Sequence, residues 1–176
     1  MLRSPLPLAL PALVLLALAA CAQQEAAAPP PPSPVAPLSS DQNFVDRAAL
    51  GTASEVELGR LARTRALSPD VRTFAALIIT DHRQANARLR TLQRRLQMVA
   101  APATPPANSL ATLSGADFDR KFIADQVQNH REAIQLFEAE ARAGQDPRLR
   151  KYATDNLPML YRNLQKAQAI AARLGG

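Results

Sequence analysis

Two stretches constrain the fold more than any other feature: SPDVRTFA at 68–75 and DPRLRKYA at 146–153. Each begins with a capping residue, Ser68 or Asp146, followed at once by Pro69 or Pro147. Proline at the first helical position costs nothing, since its missing N–H has no partner there and its φ already suits the helix. The match extends further, with Arg72 and Arg150, Ala75 and Ala153 in common, and Val71/Leu149 and Phe74/Tyr152 as apolar equivalents. Each stretch follows another helical segment after a very short turn. The chain is therefore expected to form two helical hairpins on one plan, and two hairpins around one apolar core make an all-α, four-helix bundle.

No segment alternates like a half-buried strand; four carry helical periodicity, at roughly 42–66, 69–98, 115–143 and 147–174. Ser114 and Asp117 have capping-box spacing ahead of the third helix, Gly144 stops it, and Gly175 and Gly176 follow the fourth. The two short turns are expected at the same end of the bundle. Between the hairpins runs MVAAPATPPANSLATL, with Pro102, Pro105 and Pro106. It is either a crossover along the bundle or a loose loop.

Spacings of three and four read off the buried faces. Helix 2 gives Val71, Ala75, Ile78, His82, Ala85, Leu89, Leu92 and Leu96; helix 3 gives Ile123, Val127, His130, Ile134, Phe137 and Ala141. Helix 4 gives Leu149, Ala153, Asn156, Leu160, Asn163, Ala167, Ile170 and Leu174. Helix 1 allows two registers, one through Phe44, Ala48, Gly51, Glu55, Leu58 and Ala62, the other burying Glu57. Both histidines of the chain thus fall on seams. His82 is 13 residues past Pro69, His130 is 14 before Gly144, Glu55 is 13 before Ser68 and Asn163 is 16 past Pro147. At about 1.5 Å per residue these heights agree within roughly one turn. One polar side chain from each helix is expected at one level of the core, where an unpartnered polar group costs a few kcal/mol. Two readings stay open. In one, Glu55 accepts from an imidazole and Asn156 or Asn163 bridges, as a structural network. In the other, Glu55 (or Glu57), His82 and His130 hold a divalent transition metal, which imidazole and carboxylate suit. The paired Glu-x-x-His motif of di-iron bundles is absent, Ile79 and Val127 standing three residues before the histidines.

The ends of the chain bear on location. Residues 1–20 combine one positive charge, Arg3, with a short apolar run, the pattern of an export signal. It closes on LAAC at 18–21, which resembles the bacterial lipoprotein box and implies cleavage before Cys21 and lipid on Cys21. Ala22 then favours outer-membrane sorting over inner-membrane retention by that same resemblance. Residues 21–40 are rich in Pro and Ala, with four prolines at 29–32, and read as a stalk to a domain at 41–176. Arg88, Arg90, Arg94 and Arg95 form the densest basic run; such a run can meet anionic lipid or nucleic acid, but it reads first as the solvated face of a helix near its C-terminus. No nucleic-acid partner is expected, since aromatic residues make up only 4% of the chain and base stacking needs them.

FVDRAALGTASEVELGRLA (44–62), SPDVRTFAALIITDH (68–82), LSGADFDRKFI (113–123), HREAIQLFEAEA (130–141) and DPRLRKYATDNLPMLYRNL (146–164) together resemble the DUF4142 family of exported bacterial proteins. The resemblance implies a ferritin-like fold with no settled activity. Two positions depart from that family's pattern: Asn129 stands where Asp is common before the helix-3 His, and Asn163 where a His is common. The expected function is a non-catalytic binding or envelope-maintenance module, lipid-anchored and facing the periplasm. The alternative is a ferritin-like metal-binding domain linked to oxidative stress. No nucleophile triad, phosphate loop or zinc-type cysteine set supports another enzyme class. If Cys21 carries the anchor, Cys21→Ser will move the protein from salt-washed membranes to the soluble fraction; a variant that still sediments with them, together with a free thiol on wild-type Cys21, refutes the anchor.

Overall fold

A computed structural model describes residues 40–99 and 110–175. The export signal, Cys21 and the Pro/Ala-rich stretch to residue 39 lie outside the described residues. Four helices make up the fold: α1 (Ser40–Arg65), α2 (Pro69–Leu96), α3 (Gly115–Ala143) and α4 (Pro147–Leu174). They begin and end within two residues of the sequence expectation. The hairpin pairs α1/α2 and α3/α4 pack most extensively, joined by α1 on α3 and α2 on α4.

Two buried carboxylates tie the hairpins together. Asp119, near the start of α3, accepts from the Leu67 N–H at 3.1 Å and the Ser68 N–H at 2.7 Å. Asp41, near the start of α1, accepts from Gln145 N–H at 2.7 Å and Asp146 N–H at 2.8 Å. Each hairpin thus supplies the acceptor for the other's turn. The arrangement places the two turns at opposite ends of the bundle, not at one end as expected. It makes α1 and α3 antiparallel. Arg173–Asp70 and Arg162–Asp81 pairs, at 2.9 and 2.8 Å, show the same for α2 and α4. The order is up, down, down, up. From the end of α2 to the start of α3 the chain must return the length of a 28-residue helix, about 40 Å. The connection is therefore a crossover; residues 100–109 within it lie outside the described residues.

This topology changes the capping. Ser68 and Ser114 stand at N-cap positions, but neither side chain makes a cap bond. The carboxylate of Asp119 instead holds the N–H groups of Leu67 and Ser68, the two residues just ahead of α2. The capping box does not form, and Asp117 pairs with Arg120. Asp146 does cap α4, accepting from Arg148 N–H at 2.7 Å.

The apolar core falls into two clusters. One includes Ala62, Val71, Phe74, Ile78, Phe118, Phe122, Ile123 and Ile170. The other includes Phe44, Leu89, Ile134, Phe137, Leu149, Tyr152 and Leu160, with Phe44 edge-on to Phe137 and Tyr152 at 5.1 and 6.2 Å. All of these residues belong to one compact unit, 36–176, which carries its own core. The α1 seam drifts by one residue from the expected register: Thr52 and Gly59 are buried, whereas Gly51 is exposed. Gly59 is there because α2 comes close; a Cβ would lie 2.8 Å from Ile79 Cγ1 and 3.1 Å from the Ala75 carbonyl.

Asp119→Ala strands two backbone donors and should cost about 2–4 kcal/mol in urea unfolding. Ser68→Ala should stay within about 0.5 kcal/mol, below the usual cost of about 1 kcal/mol for losing an N-cap. Equal costs for the two would contradict the assignment of the turn's hold to Asp119.

Candidate functional site: a polar layer between two cores

Glu55, His82, His130, Asn156 and Asn163 are all buried, between 0% and 5% exposed. Glu57 is exposed and pairs with Arg60, so the second register of helix 1 is not used. The expected heights hold although the turns are at opposite ends. The reason is that Glu55, His82, His130 and Asn163 all lie near the middle of their helices, where counting from either end gives similar levels.

The layer divides into two parts. In the first, the Glu55 carboxylate accepts from the Gln126 side-chain amide at 2.5 Å and the Asn129 amide at 2.9 Å. Expected to accept from an imidazole, Glu55 has amides as its partners instead. Gln126 was not among the sequence candidates. It is fully buried one turn before His130, and that spacing was its only signal. Asn156 does not bridge; its amide donates to the Tyr152 carbonyl at 2.7 Å. Asn163 donates to Asp81 at 3.1 Å and to the Met159 sulfur at 3.2 Å.

In the second part, His82 and His130 face each other with ring centroids 5.6 Å apart and planes at 78°. His130 Nδ1 lies 2.9 Å from the Gln126 carbonyl oxygen. A carbonyl only accepts, so Nδ1 carries a proton, and Nε2 is the nitrogen that bears the lone pair when the ring is neutral. That Nε2 is buried without a partner, as are both ring nitrogens of His82, the side-chain oxygen of Gln126 and that of Asn163. Burial pushes the His82 imidazole down to about 4, against a smaller opposing pull from Glu55 and with a further push from His130. His82 is therefore neutral at pH 7. A cavity of about 350 Å³, lined by apolar groups such as Leu58, Leu136 and Phe137, reaches both imidazoles, Glu55 and Met159.

Donor chemistry decides what this part can hold. Among the described residues no three His, Cys, Asp or Glu side chains form a group able to hold a metal ion, so Glu55 does not complete a set with the two histidines. What remains is two buried imidazoles and a thioether on one cavity. The ring nitrogens without partners, both of His82 and Nε2 of His130, are the ones that would hold a soft cation here.

Four long helices with one crossover and polar side chains meeting in mid-core define a ferritin-like bundle. The chain belongs to the family described as Domain of unknown function (DUF4142), whose model matches residues 22–170. Among solved structures it is similar to a DUF305 fragment from Deinococcus radiodurans, at 16% identity and a TM-score of 0.69, covering 77% of this chain and 97% of that one. It is also similar to CopM in its Cu(I)-bound form, at 19% identity and a TM-score of 0.67, covering 79% and 100%. A third likeness is to a conserved hypothetical protein, rv2844, from Mycobacterium tuberculosis, at 12% identity and a TM-score of 0.63, covering 76% and 91%. These likenesses establish the fold. No curated protein matches the chain.

The depressed pKa of His82 gives a signed prediction. An unfolded imidazole takes up its proton near pH 6.5, the folded one only near 4. The contribution is complete above about pH 6.5 and is lost as pH falls toward 4, by roughly 3 kcal/mol. Glu140 works oppositely: burial first, then Asp41, raises its carboxyl to about 7, so its share of stability falls as pH rises toward 7. Both chains keep Glu140, so the difference between wild type and His82→Leu isolates the imidazole. That difference should shift toward the variant from pH 7 to 4; a flat difference would show His82 to be solvated.

Proposed function

We propose that the domain is a non-catalytic binding module whose ligand is a soft metal cation, Cu(I) or Ag(I), taken up between His82 and His130. The observation that carries this reading is the pair of buried imidazoles, with ring centroids 5.6 Å apart and ring nitrogens lacking partners, on one cavity. Met159 adds a thioether, held by the Asn163 amide, and imidazole with thioether favours soft monovalent copper over hard cations. The solved forms of CopM include Cu(I)-, Cu(II)- and Ag-bound states on this same fold, which supports the choice of probe. Oxidative di-iron chemistry is the weaker reading, because Glu55 already has two amide donors and Ile79 and Val127 occupy the positions where further carboxylates would be needed. The lipid anchor on Cys21 and the outer-membrane, periplasm-facing location belong to the same proposal and rest on the LAAC stretch.

Equilibrium dialysis against Ag(I), followed by metal analysis, tests the site without redox complications. Wild type should retain one ion per chain and melt higher, by about 2.7 kcal/mol of added stability at a hundredfold excess over Kd. His82→Leu with His130→Leu should abolish both. Equal retention by that double variant, or none by wild type, would overturn the proposal.

A further inference from the structure

Cations elsewhere in the bundle mostly have partners. Arg60, Arg120, Lys121, Arg142, Arg148, Lys151, Arg162 and Arg173 each sit in a salt bridge. The second half of α2 differs. From 82 to 98 it carries Arg83, Arg88, Arg90, Arg94 and Arg95 and no Asp or Glu. All five are exposed, and among the described residues none is in a salt bridge. At 100° per residue, Arg83, Arg90 and Arg94 form one stripe and Arg88 and Arg95 a second. The stripes flank the side of α2 opposite Ala85 and Leu89, which are buried.

The position of this face matters as much as its charge. Gln42 donates to the Val99 carbonyl at 2.9 Å, so the last turn of α2 lies beside the first turn of α1. Val99, at that tip, is 80% exposed. The arginine face therefore ends where the chain arrives from residues 1–39, which contain the apolar run and Cys21. No helix among the described residues is long and apolar enough to cross a membrane. Contact with a bilayer by this domain is therefore a matter of surface.

We infer that the outer face of α2, from Arg83 to Val99, docks on a bilayer bearing anionic phospholipid headgroups. Guanidinium groups match phosphate oxygens in bidentate fashion, and basic clusters beside a membrane anchor are attracted to anionic lipid. Single-stranded nucleic acid also has phosphates, but it is held by stacking as well. The chain has no aromatic residue between Phe74 and Phe118 to supply it. The inference is independent of the metal site. Its test does not require the anchor.

The compact unit 36–176, without lipid, is sedimented with vesicles of phosphatidylcholine alone or with about one-third phosphatidylglycerol. It should partition onto the anionic vesicles only, and release as salt rises. Each arginine contributes about fivefold to partitioning, so Arg90→Gln, Arg94→Gln and Arg95→Gln together should weaken it by about a hundredfold. Arg63→Gln, Arg131→Gln and Lys166→Gln remove the same charge from the other three helices and should leave it near wild type. Thermal melts of both triple variants confirm that they fold. Equal losses in the two variants would reduce the effect to net charge and overturn the inference. So would wild-type binding by the α2 variant, or an RNA oligomer that displaces the unit from anionic vesicles at equimolar phosphate.

Discussion

A carboxylate in the middle of a helical bundle has to be given donors, and much of this structure follows from giving them to Glu55. Left alone at 5% exposure, the charge would cost several kcal/mol. Gln126 and Asn129 supply two amide N–H groups from α3. Gln126 then uses its backbone carbonyl to hold His130 Nδ1. That bond fixes the tautomer of His130 and points its lone pair into the layer. Apolar clusters lie on either side of the layer along the bundle. The satisfied part of the layer thus holds the unsatisfied part in place.

The sequence made some of this legible and hid the rest for physical reasons. The seams of α2 and α4 were readable because bulky aliphatics recur there between polar residues. Helix α1 is rich in alanine and small residues, so its register is set by contact rather than by contrast. Gly59 is buried by the approach of Ile79, which no count of apolar residues reveals. Gln126 escaped for a similar reason, since apolar spacing passes over an amide. The direction of the second hairpin was misread. It is decided by Asp41 and Asp119 meeting backbone N–H groups more than 50 residues away in sequence. The polar layer survived that error only because its members lie at mid-helix.

Positions 129 and 163, which the resemblance singled out, both serve the polar layer. An Asp at position 129 would put a second carboxylate beside Glu55; Asn129 instead donates to it at 2.9 Å. At position 163 the side-chain amide bonds to the Met159 sulfur. On the proposed reading, that bond holds a thioether on the cavity that both imidazoles line, a soft donor beside nitrogen donors. The same amide also reaches Asp81, which pairs with Arg162 at the edge of the layer.

Asp41 is the second residue of α1, and this gives the domain a mechanical character. Any pull on the preceding chain enters the fold at Ser40, one peptide before the carboxylate that holds Gln145 and Asp146. The first bonds to bear the load are therefore those two, and they join α1 to the opposite hairpin rather than to its own. Because α1 is antiparallel to α3, tension drawn along α1 acts on those bonds and on the Glu55 contacts further down the helix. Breaking the first pair would loosen the turn into α4 while leaving the Asp119 clasp at the far end intact. Resistance to force is thus placed at the point where force enters, and the polar layer lies about twenty ångströms downstream of it.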